Sequence, residues 1–211
     1  MSTVRFVTMG RPMGPPALRR FAEPLDVYDL SERLLLSGEI KGLALSNNLD
    51  QIFLERQAPL LETFVREGGR IQVNGHVVRP FLLGLSPWRA LDYHGPSDLR
   101  ITPVTPHPVF EGIDPLELLY RTGVPGTPTG EELARLGVAG FYGRGYHSRV
   151  PEDGTVLNGI GPHALPIDVL YPLGKGLVMA HAGNDLSMFS DPDRSTRTLG
   201  PRLHAWLEGT L

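Results

Sequence analysis

Apolar positions along the chain fall into two rhythms, one of short runs and one of helical spacing. Val4–Thr8 is a β-branched and aromatic run that stops at Gly10, before a Pro-rich loop from Arg11 to Pro16. Ala17–Ala22 has the length of a short helix, and Leu25–Tyr28 alternates apolar with polar as a second strand does. Lys41–Ser46 is a small apolar run suited to a strand covered on both faces. From Asp50 to Glu67, Ile52, Phe53, Leu60, Leu61, Phe64 and Val65 recur at helical spacing, Asn48 and Gln51 resemble a capping box, and Gly68-Gly69 is the stop. Arg70–Gly75 is the next strand. Lys41–Gly75 thus reads as strand, helix and strand, the unit of a right-handed parallel crossover.

Further along, short strand candidates follow one another at Ala90–Tyr93, Leu99–Val104, Val156–Gly161, Ile167–Pro172 and Leu177–His181, a spacing that predicts an antiparallel extension. Arg121–Thr129, with two Pro and two Gly, opens a surface excursion that reaches to about residue 155, and Arg197–Leu211 reads as a closing amphipathic helix. A length of 211 residues fits one domain with such an excursion. There is no internal repeat.

Composition narrows the chemistry. The chain has no Cys, which removes disulfides, thiolate metal sites and cysteine nucleophiles together. A net charge of −3 gives no global pull toward nucleic acid or anionic lipid. No apolar run approaches the roughly 18 to 20 residues that cross a bilayer, and the first residues do not read as a signal peptide. A cytoplasmic protein that handles a small polar ligand, without nucleic acid or membrane, is the expectation; self-association into a homo-oligomer is left open.

Three segments resemble the class I glutamine-amidotransferase-like superfamily, and within it the trehalose-utilisation (ThuA-like) branch. Phe64–His76 is similar to the helix, double glycine and strand that lead to that family's nucleophile turn; His107–Ile113 resembles a recurrent family segment, and Gly174–His181 its late strand. The resemblance implies an α/β, flavodoxin-like three-layer sandwich with a mainly parallel central sheet and the antiparallel extension. It also implies a site at the carboxyl edge, where a sharp turn presents one side chain to backbone N–H groups. At the nucleophile's position stands His76, after Asn74-Gly75, and the family's His-x-Glu pair becomes His181-Ala182-Gly183. Without thiolate and acid the acyl-enzyme route from glutamine is closed. The expectation is an amidotransferase-like domain that binds or transforms a small polar ligand, with the carbohydrate class implied only by the ThuA-like resemblance. The alternative is a catalytically silent binding or scaffold subunit.

His76 and His181 are the candidate catalytic residues. Each follows a strand-like run, and each reads equally as base, ligand or hydrogen-bonded structural histidine. Asn74, Tyr142, Arg144, His147, Asn184 and Asp185 are the candidate ligand-binding residues. The segment Phe141–Arg149 gathers aromatic, basic and hydroxyl groups suited to a polar ring or a phosphate, or else forms an exposed antiparallel strand. His76, His147 and His181 are expected to approach one pocket. No motif requires a cofactor. Among the seven His there is no HExxH or other close ligand spacing, so a divalent metal would need ligands, such as His76, His147, His181 and Asp185, converging from separate strand ends. His107, held extended by the Pro after it, reads as structural. No GxSxG elbow, P-loop or GxGxxG is present.

Overall fold

The structure, a computed structural model, describes residues 3–10 and 22–211. The Pro-rich loop and all but the last residue of the short helix expected over Ala17–Ala22 lie outside the described residues. An eight-stranded sheet has the order β2-β1-β3-β4-β12-β11-β10-β6. Five strands run parallel: β1 (Val4–Thr8), β2 (Glu23–Asp26), β3 (Gly42–Leu45), β4 (Arg70–Asn74) and β12 (Gly176–His181). The strands β11 (Leu165–Leu173), β10 (Thr155–Ile160) and β6 (Ile101–Pro103) continue the sheet by antiparallel pairing. This is the α/β sandwich with a parallel centre and antiparallel extension that the sequence predicts.

The crossover between β3 and β4 is also where it was expected, with Gly42 opposite Arg70 and Leu45 opposite Val73. After the short helix α1 (Glu32–Leu35), the crossover helix is divided into α2 (Gln51–Arg56) and α3 (Ala58–Arg66). Pro59, in the first turn of α3, has no N–H to continue the ladder of α2. Asp50, rather than Asn48, is the cap: its carboxylate accepts from the amides of Ile52 and Phe53, both at 3.0 Å. Asp sits next to the first helical residue, where a short side chain reaches two orphan amides at once.

The sheet alternates its side chains between two cores. On one face Leu43, Leu45, Ile71, Val73, Val178 and Ala180 meet Leu54 of α2 and Leu61, Phe64 and Val65 of α3. On the other, Phe6, Ala44 and Met179 meet Leu199, Leu203, Trp206 and Leu207 of α6 (Leu199–Glu208). The spacing of these α6 residues follows one helical face. Helices on both faces complete the three layers. After α4 (Pro115–Leu118), the excursion is a two-stranded ribbon of β7 (Tyr120–Arg121) and β8 (Gly140–Phe141) flanking α5 (Gly130–Leu136), which has no buried residue. A second ribbon pairs β5 (Trp88–Ala90) with β9 (Gly145–His147). No helix among the described residues is long and apolar enough to cross a membrane.

Leu61 is fully buried on α3 and Ile52 is half exposed on α2. Leu61→Ala is therefore expected to lower unfolding free energy by about 2–5 kcal/mol in urea titrations, and Ile52→Ala by no more than about 0.5 kcal/mol. Equal losses would show that the crossover packs by another face.

Candidate functional site

The carboxyl end of β4 turns sharply. Gly75 has φ +101, and a Cβ there would lie 2.6 Å from the carbonyl oxygen of Asn47. Only glycine fits both constraints. The residue before the turn faces inward: Asn74 donates to the Leu45 carbonyl at 2.8 Å and to Gln72 Oε1 at 2.8 Å, and accepts from the Leu186 amide at 3.1 Å. The residue after it, His76, emerges to solvent. Its ring stacks on Trp88, with centroids 4.0 Å apart and planes at 22°. Trp88 is in turn pressed against the backbone of β9, where a Cβ on Gly145 would come within 2.3 Å of the indole. Gln51 fixes the loop from the other side, donating to the His76 carbonyl and accepting from the amides of Val78 and Arg79, at 2.8–2.9 Å. Partial burial first, then Arg144 and His181, hold the His76 imidazole below its usual pKa, which favours the neutral ring.

His181 lies in the interior instead. It is fully buried at the end of β12, directly opposite Asp168 of β11. Its Nδ1 is 2.7 Å from Asp168 Oδ1, and its Nε2 is 3.2 Å from the Tyr142 carbonyl. A carbonyl can only accept, so Nε2 carries a hydrogen. The second carboxylate oxygen of Asp168 accepts from the Tyr142 hydroxyl at 2.7 Å and from Asn158 Nδ2 at 2.8 Å. Tyr142 also meets the His181 ring edge-on at 4.5 Å. The late histidine thus has an orienting acid after all. It comes from the neighbouring antiparallel strand, not from two residues downstream, where Gly183 stands.

His147, on β9, is buried and donates through Nε2 to the Ala180 carbonyl at 3.2 Å. Desolvation, with a smaller contribution from His181, lowers its pKa to about 4 against the opposing pull of that hydrogen bond. Asp185 is buried too, accepting from the Asn47 amide at 2.7 Å and the Ser46 hydroxyl at 3.1 Å, and burial raises its pKa. Half-buried Asn184 joins two loops, accepting from Asn47 Nδ2 at 2.9 Å and donating to the Phe141 carbonyl at 2.7 Å. Arg144 is exposed.

The three histidines therefore gather at one end of the sheet without opening onto one pocket. His76 and Arg144 face solvent, while Asn74, Tyr142, His147, His181 and Asp185 are interior. Among the described residues no group of three or more His, Asp or Glu is placed to hold a metal ion. Gln51, Trp88, Asn158 and Asp168 are the site residues that sequence reasoning misses. The one signal for Asp168 is an acid inside the apolar run of β11, in a hairpin with the strand that ends in His181.

No family profile matches the chain, and no curated protein matches its sequence. Its fold does match solved structures. Cytoplasmic protein STM3548 from Salmonella typhimurium aligns at 14% identity over 96% of this chain and 98% of that one, with a TM-score of 0.56. Cytoplasmic protein STM1381 from Salmonella typhimurium LT2 aligns at 13% identity over 98% and 96%, with a TM-score of 0.52. The β-galactosidase from Rahnella sp. R3 aligns at 12% identity over 99% of this chain but 31% of the galactosidase, with a TM-score of 0.51. At these identities the likeness defines a shared α/β architecture.

The depressed pKa of His147 makes stability depend on pH. The unfolded imidazole takes up its proton near pH 6.5 and the folded one near 4, so the contribution is complete above about 6.5 and is lost as pH falls toward 4. The loss approaches about 3 kcal/mol. Asp185, with its raised pKa, works in the opposite sense. The difference in urea stability between wild type and His147→Gln isolates the histidine: it should shrink steadily from pH 7 to pH 4. A difference independent of pH would contradict the buried neutral imidazole.

Proposed function

We propose that this chain is an amidotransferase-like domain of the ThuA-like branch that has no cysteine chemistry and binds a small polar ligand, of the carbohydrate class, at the turn that presents His76. The observation that carries this reading is the construction of the turn. Gly75, Gln51 and the Trp88–Gly145 contact are three independent devices that hold one imidazole outward at the carboxyl edge, where open α/β sheets bind their ligands. A neutral imidazole can both donate and accept, as a sugar hydroxyl requires. Arg144 supplies exposed donors beside it. The order of the Phe64–His76, His107–Ile113 and Gly174–His181 segments supports the family reading, and the carbohydrate class rests on that resemblance alone.

In this scheme His76 is the group that meets the ligand. Asp168 and the Tyr142 carbonyl occupy the two ring nitrogens of His181, and Asn158 holds Asp168 in turn, so that His181 serves as the buried pillar of the site. A second reading, a catalytically silent scaffold, draws on that same burial of His181.

Saturation-transfer NMR with glucose, galactose and trehalose tests the proposal. At least one sugar should receive saturation from the protein, with affinity weakened about tenfold or more by His76→Ala. No transfer to any of the three, or transfer indifferent to His76→Ala, would favour the scaffold. An ammonia-release assay with glutamine should stay at background, because no acyl-enzyme can form. Release that disappears in His76→Ala would show imidazole replacing the family nucleophile, against this account.

A further inference from the structure

A cavity of about 470 Å³ lies beside β6, the last strand of the antiparallel extension, away from the turn at His76. Its volume falls in the range of small-molecule sites. Proline contributes much of the wall, at Pro103, Pro106, Pro108 and Pro115, so the backbone there is restrained before any ligand arrives. Phe110, Ile113 and Leu118 make the lining apolar. Three neutral polar residues stand in this surface, Thr105 at its exposed rim and Asn158 and His107 deeper. Asn158, only 3% exposed, has its amide nitrogen tied to Asp168, leaving the amide carbonyl oxygen as the group it can offer a ligand. Half-buried His107 accepts the Val109 amide at Nδ1, at 3.3 Å, which puts its hydrogen on Nε2. Burial also lowers the His107 pKa, so the ring is an uncharged donor near neutral pH. The one charged lining residue, Glu111, is paired with Arg202 of α6 at 3.4 Å.

We propose that this cavity is a second ligand site, for an uncharged, flat ring compound of about two or three fused rings carrying a hydroxyl that meets Asn158 and His107. Rigid apolar walls favour a rigid apolar body. A neutral donor and a neutral acceptor favour a hydroxyl over an anion, because the lining holds no cation and its one charged residue, Glu111, is already paired with Arg202. Through Asn158 the occupant would lie one hydrogen bond from Asp168, and so next to the network that holds His181.

The probe is 2-naphthol, titrated into the full chain and followed by its fluorescence, with naphthalene-2-sulfonate as the charged counterpart. Saturable binding of one equivalent is expected, much weaker for the sulfonate. Thr105→Trp, at an exposed lining position, should abolish it by filling the cavity. His107→Phe should weaken it about tenfold by removing the donor. His76→Ala should leave it unchanged, which separates this site from the sugar site. Absence of saturable binding, equal affinity for the sulfonate, or undiminished binding in Thr105→Trp would overturn the proposal. Full affinity in His107→Phe would overturn its polar end. The two lining variants are independent, so misfolding of one, detected by circular dichroism, leaves the other to decide.

Discussion

The structure is organised around one buried contact, the 2.7 Å pairing of Asp168 with His181 at the seam where the sheet changes from parallel to antiparallel. Both side chains are wholly inaccessible. A carboxylate and an imidazole cannot be left unsatisfied there, since the cost is several kcal/mol per group. Their partners are therefore fixed. The β11–β12 register must bring the two residues opposite each other. Asn158 must come from β10, and Tyr142 must be drawn in from the excursion to supply both its hydroxyl and its carbonyl. A slip of one residue in β11 would turn the acid to the other face of the sheet.

From that anchor the rest of the edge follows in sequence. Once Tyr142 is seated, edge-on to both His181 and Phe189, the chain continues through Gly145 to His147 and lies across the sheet end. Gly145 brings the backbone against Trp88, and Trp88 supports the ring of His76. The exposed imidazole thus depends on the buried one through a chain of contacts. The two histidines occupy opposite electrostatic settings: His76 is free to meet solvent and solute, while His181 has each ring nitrogen committed.

How far this could be read from the sequence depended on whether the interactions were local. The β3–α3–β4 crossover was legible because its apolar periodicity and its Gly68-Gly69 stop are written in consecutive residues. The antiparallel extension is legible from spacing at Leu99–Val104, Val156–Gly161 and Ile167–Pro172, whereas the strand expected over Ala90–Tyr93 contributes only Ala90, to the separate β5–β9 ribbon, and Leu177–His181 closes the parallel part; α6 is legible from its apolar stripe. The break before α3 was missed although Pro59 marks it, because the apolar spacing runs on across it. The site was half legible. His76 is singled out by the resemblance, at the position of the family's nucleophile, and by its place after a strand with Asn74-Gly75 before it. The environment of His181 was not, because its acid is 13 residues upstream and meets it only through the β11–β12 register. Tyr142 and His147 stand out in the sequence as part of the aromatic and basic Phe141–Arg149 segment, and Asp185 as a polar residue just after a strand end, but burial, which turns all three into supports, is a property of the folded sheet. Gln51 looked like half of a capping box and is instead the clamp on the loop after His76.

The central claim, that one imidazole faces outward while its neighbours are sealed, is tested most directly by deuterium exchange at the imidazole Cε1 positions, read by mass spectrometry on the native protein. The account predicts that His76 exchanges at a rate close to that of an exposed histidine, while His147 and His181 are strongly protected under the same conditions. Exchange at His181 as fast as at His76 would contradict it, showing that the Asp168 network opens to solvent.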